Sequence, residues 1–172
     1  MASPQERGTA LSLALITVAA LLGLGATTLC SVQMELAHSG QSRFAESALY
    51  AAESGVATGM EFLRNHCDPT SKFSAWVSPA NVSPPQPSAI VGNGLQPGVS
   101  GNLFAAGSDE WYEVSILNNR EDPGFAAGTD DDGTVILRAV GHGPDQTIVA
   151  VEAEVQDPLC LSTIFVLSFR SI

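Results

Sequence analysis

The stretch that most restricts this chain runs from Gly8 to Met34. It begins one residue after Arg7 and carries no charged side chain before Glu35. Ala10-Leu11-Ser12-Leu13-Ala14-Leu15-Ile16-Thr17-Val18-Ala19-Ala20-Leu21-Leu22-Gly23-Leu24 is apolar apart from Ser12 and Thr17. The run then continues through Gly25-Ala26-Thr27-Thr28-Leu29-Cys30-Ser31-Val32. The hydrocarbon core of a bilayer takes about 20 mostly apolar residues of helix. Ser and Thr are compatible with lipid because their hydroxyls bond back to helix carbonyls, whereas a bare charge finds no such partner. The pattern predicts a membrane helix, and everything beyond Glu35 is read as attached to it.

The flanking cations orient that helix. Arg7 precedes it, and the next basic side chain beyond Glu35, apart from His38, is Arg43. This bias places the N-terminus in the cytoplasm and the rest of the chain outside it. A cleaved secretory signal fits poorly, since its apolar core is shorter and ends at an A-x-A-like site. Neither Leu24-Gly25-Ala26 nor the Leu29-Cys30 step suits cleavage or lipid attachment. The net charge of -11, with seven Lys and Arg scattered singly, excludes a nucleic-acid partner, which requires clustered cations. The acidity is read as a solvated surface.

Beyond Met34 the helical pattern persists. Ala45, Ala48, Leu49, Ala52, Val56, Met60 and Leu63 recur at spacings of three and four, with Glu46, Tyr50, Glu53, Glu61 and Arg64 on the other side. Gly40, Gly55 and Gly59 weaken this helix locally. No proline lies between Ala10 and Asp68, so one helix is predicted from about Thr9 to about Asn65, on the order of 85 Å long. Pro69 ends it.

From Ser78 to Gly101 the chain is rich in Pro, Gly, Ser and Asn and reads as a long loop, either an irregular surface or a partner-binding one. Trp76, just before it, is expected to anchor onto the domain. Strands are predicted at Trp111–Leu117, Thr134–Val140 and Gln146–Val155. The last two are joined by Gly141-His142-Gly143-Pro144-Asp145 as a hairpin. The apolar tail Leu159–Phe169 is too short to span a bilayer and reads as a strand, buried or covered by a partner. An antiparallel sheet with one apolar face, laid on the amphipathic half of the helix, buries both stripes. The fold class is α+β, a long N-terminal helix on a small antiparallel sheet.

Of the three cysteines, Cys30 sits in the apolar run. Cys67 and Cys160 fall in the part placed outside the cytoplasm, where a disulfide persists. Paired, they would close a long loop and contribute about 4 kcal/mol; two separate thiols are the alternative.

Arg7-Gly8-Thr9-Ala10-Leu11, the apolar helix, and then Phe44-Ala45-Glu46-Ser47-Ala48-Leu49-Tyr50-Ala51-Ala52-Glu53-Ser54-Gly55-Val56-Ala57 resemble the N-terminus of type IV minor pilins of the PilX kind. They are also similar to the K-type pseudopilins of type II secretion. Asp132-Gly133-Thr134-Val135-Ile136-Leu137-Arg138 gives a looser match. The resemblance implies a leader of residues 1–8, with cleavage after Gly8 and Thr9 as the mature N-terminus. It divides the remainder into an assembly half of the helix (9–34), an amphipathic half (35–66) and a globular domain (67–172) carrying the 78–101 loop. Major pilins usually place Glu at the fifth mature position, which here is Leu13, and Thr9 replaces their usual aromatic residue or Met. A subunit with no neighbour above it has no amine to pair with such a carboxylate, which would be costly unpaired in lipid.

The resemblance therefore implies a subunit of a tip or initiation complex that primes pilus assembly and presents a large tip adhesin. Its neighbours would be other minor pilins and the major pilin, met through the N-terminal helix. It would wait in the inner membrane with its domain in the periplasm and end extracellularly at the pilus tip, in a system that drives twitching and adhesion. Alternatives are a pseudopilin at the tip of a secretion pseudopilus and a single-span membrane-anchored binding module.

Asp130, Asp131 and Asp132, followed by Gly133, form the one cluster with metal-ligand chemistry. Several oxygens close together suit Ca²⁺, although the EF-hand spacing is absent and the same residues make an ordinary turn. No other cofactor is expected. His38, His66 and His142 lack ligand spacing. With no G-x-S-x-G, H-E-x-x-H or P-loop, an enzyme is not expected.

Overall fold

In a computed structural model, residues 4–157, 159–161 and 165–172 are described, with side chains from Ser12 onward. The elements are helix α1 (Pro4–His66) and strands β1 (Trp111–Asn118), β2 (Thr134–His142), β3 (Ile148–Gln156) and β4 (Phe165–Ser171). The fold is α+β, with a long apolar N-terminal helix and a four-stranded antiparallel sheet in the order β1-β2-β3-β4. The chain divides into two compact units, Met1–Ser42 and Arg43–Ile172.

Helix α1 starts at Pro4 rather than near Thr9. Proline is tolerated in a first turn because its missing N–H would have no helical partner there. In the first unit, every described side chain from Ser12 to Ser39 is exposed, including Leu13, Ile16, Leu21, Leu22 and Leu29. The hydroxyls behave as lipid-compatible groups. Thr17 donates to the carbonyls of Leu13 and Ala14, and Thr27 and Thr28 both donate to Leu24, each at 2.9 Å. This helix is long and apolar enough to cross a membrane.

In the second unit the packed stretch of α1 buries Ala48, Ala51, Ala52, Val56, Phe62 and Leu63, while Glu46, Tyr50, Glu53, Glu61 and Arg64 are exposed. Period-2 alternation supplies the other half of the core. Tyr112, Val114 and Ile116 of β1, Val135, Leu137 and Ala139 of β2, and Val151, Ala153 and Val155 of β3 are all buried on one face. The predicted hairpin pairs β2 with β3 from Thr134↔Gln156 to His142↔Ile148. Trp76 packs edge-on against Phe62, with centroids 4.8 Å apart.

The two sheet edges differ. The Pro/Gly-rich loop seals the β1 edge. Asn93 acts as a surrogate strand: its Oδ1 accepts the Val114 N–H at 2.6 Å, and its Nδ2 donates to Val114 O at 3.1 Å and Pro87 O at 3.0 Å. The Gly94 N–H reaches Tyr112 O at 2.9 Å, and Ile90 of the same loop is buried in the core. Asn93→Ala should lower unfolding free energy by about 2–3 kcal/mol, because it strips the Val114 N–H of its partner rather than only removing a bond. Urea denaturation of the full chain in non-ionic micelles, followed by circular dichroism, measures this. A midpoint equal to the wild type would show that the loop does not hold β1.

The opposite edge is open. The tail is not the buried strand that was one of its two readings. Every residue of β4 is exposed, including Phe165, Val166, Leu167 and Phe169, and none belongs to the core. Residue 158 and residues 162–164 of the tail region lie outside the described residues.

Candidate functional site

Two features carry the chemistry expected from the sequence. The first is the apolar half of α1. Gly8 and Thr9, the expected processing step, lie in its helical backbone, but their side chains lie outside the described residues. Leu13, at the position where a carboxylate would be expected in a shaft subunit, is 65% exposed. Cys30 is a free, exposed thiol on the same helix.

The second feature is built around the crossing from β1 to β2. Cys67, directly after α1, is joined to Cys160, beyond β3. Cys67 is thus unavailable as a metal partner for His66, whose ring instead stacks on Phe62 at 4.0 Å. The side chains that converge for a cation among the described residues are Asp122, Asp130 and Asp132, with ligand atoms within 4.8 Å of one another. Asp131, a member of the set expected from sequence, is exposed and offers its N–H to Asp122 Oδ2 at 2.8 Å. Asp122 takes its place. Seven residues of chain separate Asp122 from Asp130, and the intervening Pro-Gly turn carries no sign of which carboxylate folds back.

All six carboxylate oxygens of the trio accept hydrogen bonds. Asp130 receives the N–H groups of Gly133 at 2.9 Å and Phe73 at 3.0 Å. Asp122 receives those of Gly124, Asp131 and Asp132. Asp132 receives the Thr134 N–H at 2.7 Å and Asn119 Nδ2 at 3.0 Å. The donor set suits a hard cation such as Ca²⁺, and the same bonds also clasp this crossing to the segment after α1 without one.

Burial pushes the Asp130 carboxyl up to about 6, against the N–H groups of Phe73 and Gly133 and with the help of neighbouring Asp122 and Asp132. Burial also acts upward on Asp122, but the N–H groups of Asp131, Gly124 and Asp132 outweigh it and hold that group below its ordinary value. The two therefore titrate as a pair that holds one proton below about pH 6 and releases it above.

The folded chain keeps a proton on Asp130 that the unfolded chain releases near 3.8. Stability should consequently fall as pH rises through the window between about 4 and 6, and then level off. Asp122 acts in the opposite sense, with stability lost as pH falls through values below its ordinary one. Asp130→Asn is expected to flatten the upper slope. Urea midpoints of both proteins across that window test this, and an identical slope in the variant would refute the assignment.

Three further structural residues were not apparent in the sequence: Asn93, and the stacked pair Trp111 and His142. Asn93 stood in a Gly-Asn-Gly turn signal, and the pairing of the other two awaited the β1–β2 register. Comparison with protein families, curated proteins and solved structures gave no match.

Proposed function

We propose that this chain is a minor pilin of a type IV pilus, part of the tip or initiation complex. The observation that carries this reading is a single helix, α1, of two characters. Its described apolar residues before Ser39 are exposed and uncharged through Met34, and its later turns pack onto a disulfide-tied sheet. An apolar helix that is satisfied by lipid can exchange those neighbours for sister helices without exposing a polar backbone. A membrane-resident subunit could enter a helical bundle by that exchange, and the domain would then be displayed at the end of the bundle.

The position of Leu13 supports a terminal place. Counting from Thr9, it occupies the fifth position, and a leucine there needs no amine from a subunit above. Neighbours in this reading are other minor pilins, the major pilin and a large tip adhesin.

Mass spectrometry of the chain co-expressed with a prepilin peptidase provides the test. The mature protein should begin at Thr9, and immunogold labelling should fall at filament ends. An uncut N-terminus would instead favour a plain membrane-anchored module, and uniform labelling would remove the tip assignment. Loss of exoprotein release rather than of surface pili on deletion would reassign the chain to a secretion pseudopilus.

A further inference from the structure

At the start of β1 and the end of β2, Trp111 and His142 are direct cross-strand partners. Their rings stack with centroids 3.8 Å apart and planes 9° from parallel. Glu113, two residues along β1, lies 3.9 Å from His142 Nε2. The stacked pair lines an open cleft of about 560 Å³, with Pro97 and Ile148 as further apolar wall. Ile148 is 59% exposed and is not part of the core.

The charged side chains at this cleft are of one sign. Asp109 and Asp145 line it, and no Lys or Arg does among the described residues. Asp145 and Gln146 both have left-handed backbone, with φ of 53° and 59°. Their turn is tied by the Gly143 N–H to Thr147 O at 2.8 Å and the Thr147 N–H to Pro144 O at 3.1 Å. Asp145 is thus held on a defined turn. Burial lowers the His142 pKa despite the pull of Glu113, so the imidazole is neutral and adds no repulsion toward a cation.

A larger cleft of about 780 Å³ lies on the sheet face away from α1, but there Arg138 and Arg170 both pair with Glu152. Those two arginines are answered within the chain, whereas among the described residues Asp109 and Asp145 of the Trp111 cleft form no ion pair.

A flat aromatic surface flanked by two carboxylates matches a planar cation. Guanidinium stacks on rings with its face and donates in pairs to carboxylates with its edge. We propose that the Trp111–His142 cleft receives an arginine side chain from a basic partner protein, stacked on the ring pair and held by Asp109 and Asp145. The occupant follows from charge complementarity: the chain carries -11 with only seven Lys and Arg, so a cation-bearing surface comes from elsewhere. The interaction is independent of how the N-terminus is processed, so its failure would leave the pilin reading standing.

The test uses the full chain in non-ionic detergent micelles and the capped tripeptide acetyl-Gly-Arg-Gly-amide. The Trp111 indole N–H signal, assigned by its loss in Trp111→Phe, is followed by NMR. A saturable shift with a dissociation constant of roughly 1 mM is expected. The isosteric citrulline peptide, which lacks the charge, should bind at least about tenfold more weakly. The double variant Asp109→Asn, Asp145→Asn should weaken binding by a similar factor with an unchanged melting curve, since both side chains are exposed. Three results would each overturn the proposal: no saturable shift up to roughly 10 mM peptide, equal binding of the citrulline peptide, or undiminished binding by the double variant.

Discussion

Gly141→Val is expected to unfold the domain formed by Arg43–Ile172. Gly141 lies in β2 opposite Tyr112 and beneath the packed stretch of α1. A Cβ built there would overlap the backbone of the helix itself, at the Ala48 carbonyl oxygen and the Ala52 nitrogen. Side chains can rotate away from a new methyl group, but a helix backbone can only lift as a whole.

Lifting is resisted nearby, because Gly55 and Gly59 sit just as close to the sheet. A Cβ at Gly55 would be 3.1 Å from Ala139 and Tyr112, and one at Gly59 would be 3.1 Å from Leu137. Moving α1 outward would also open gaps around Val56 and Leu63, which are buried to within 2%. Ordinary overpacking costs about 1–3 kcal/mol, and a clash with backbone belongs above that, at roughly 4 kcal/mol or more. Small domains have about 5–15 kcal/mol in total, so the variant retains little or no cooperative melting.

Circular dichroism melting in micelles and protection from trypsin measure the effect. Gly40→Ala is the control, since its Cβ would meet nothing within 4 Å and should leave the melt within about 1 kcal/mol of the wild type. A Gly141→Val protein that melts like the wild type would mean that helix and sheet are not this close.

The second large effect is expected from Cys67→Ser with Cys160→Ser. The bond joins residues 93 apart in sequence, tying the end of α1 to the segment after β3. Closing a loop of that length restricts the unfolded chain by about 4 kcal/mol on the chain-entropy account. In the native state the loss has a particular location. β4 lies beyond Cys160, is exposed along its whole length, and is held on one side only, by pairing with β3.

Without the disulfide, β4 should fray first. Hydrogen exchange would show protection lost from Phe165–Ser171 before the β1–β3 core. Urea denaturation of the double variant should give a deficit of about 4 kcal/mol, and reductant should reproduce it in the wild type. Cys30 is free in both proteins and serves as an internal thiol count. A deficit below about 1 kcal/mol would show that the bond does not constrain the unfolded chain.

Much of this architecture could be read from residue order. The exposed run of α1, the buried face Ala48, Ala52, Val56 and Leu63, the three core strands and the β2–β3 hairpin all follow from periodicities of 3.6 and 2. Gly55 and Gly59 were read as weak points of a helix, yet they are where the sheet approaches it. Their lost propensity, up to about 1 kcal/mol each, accompanies a close contact that only a missing Cβ permits. The loop around Asn93 read as an irregular surface, or one for a partner. It proved to seal a strand edge, because an amide side chain can satisfy both the N–H and the C=O of Val114.

By itself the order of residues determined that an uncharged helix able to cross a bilayer leads into an amphipathic continuation, and that the remainder alternates as strands. Such patterns are local, since each residue's face is set by its neighbours a few positions away. Tertiary structure alone decided which carboxylates meet, bringing Asp122 rather than Asp131 to Asp130. It also decided that Trp111 lies on His142, that the β1 edge is closed while β4 is open, and that Gly141 must lack a side chain. Each of these depends on segments distant in the chain arriving in register. That register is set by burying one apolar face and pairing every buried N–H, neither of which any single stretch encodes.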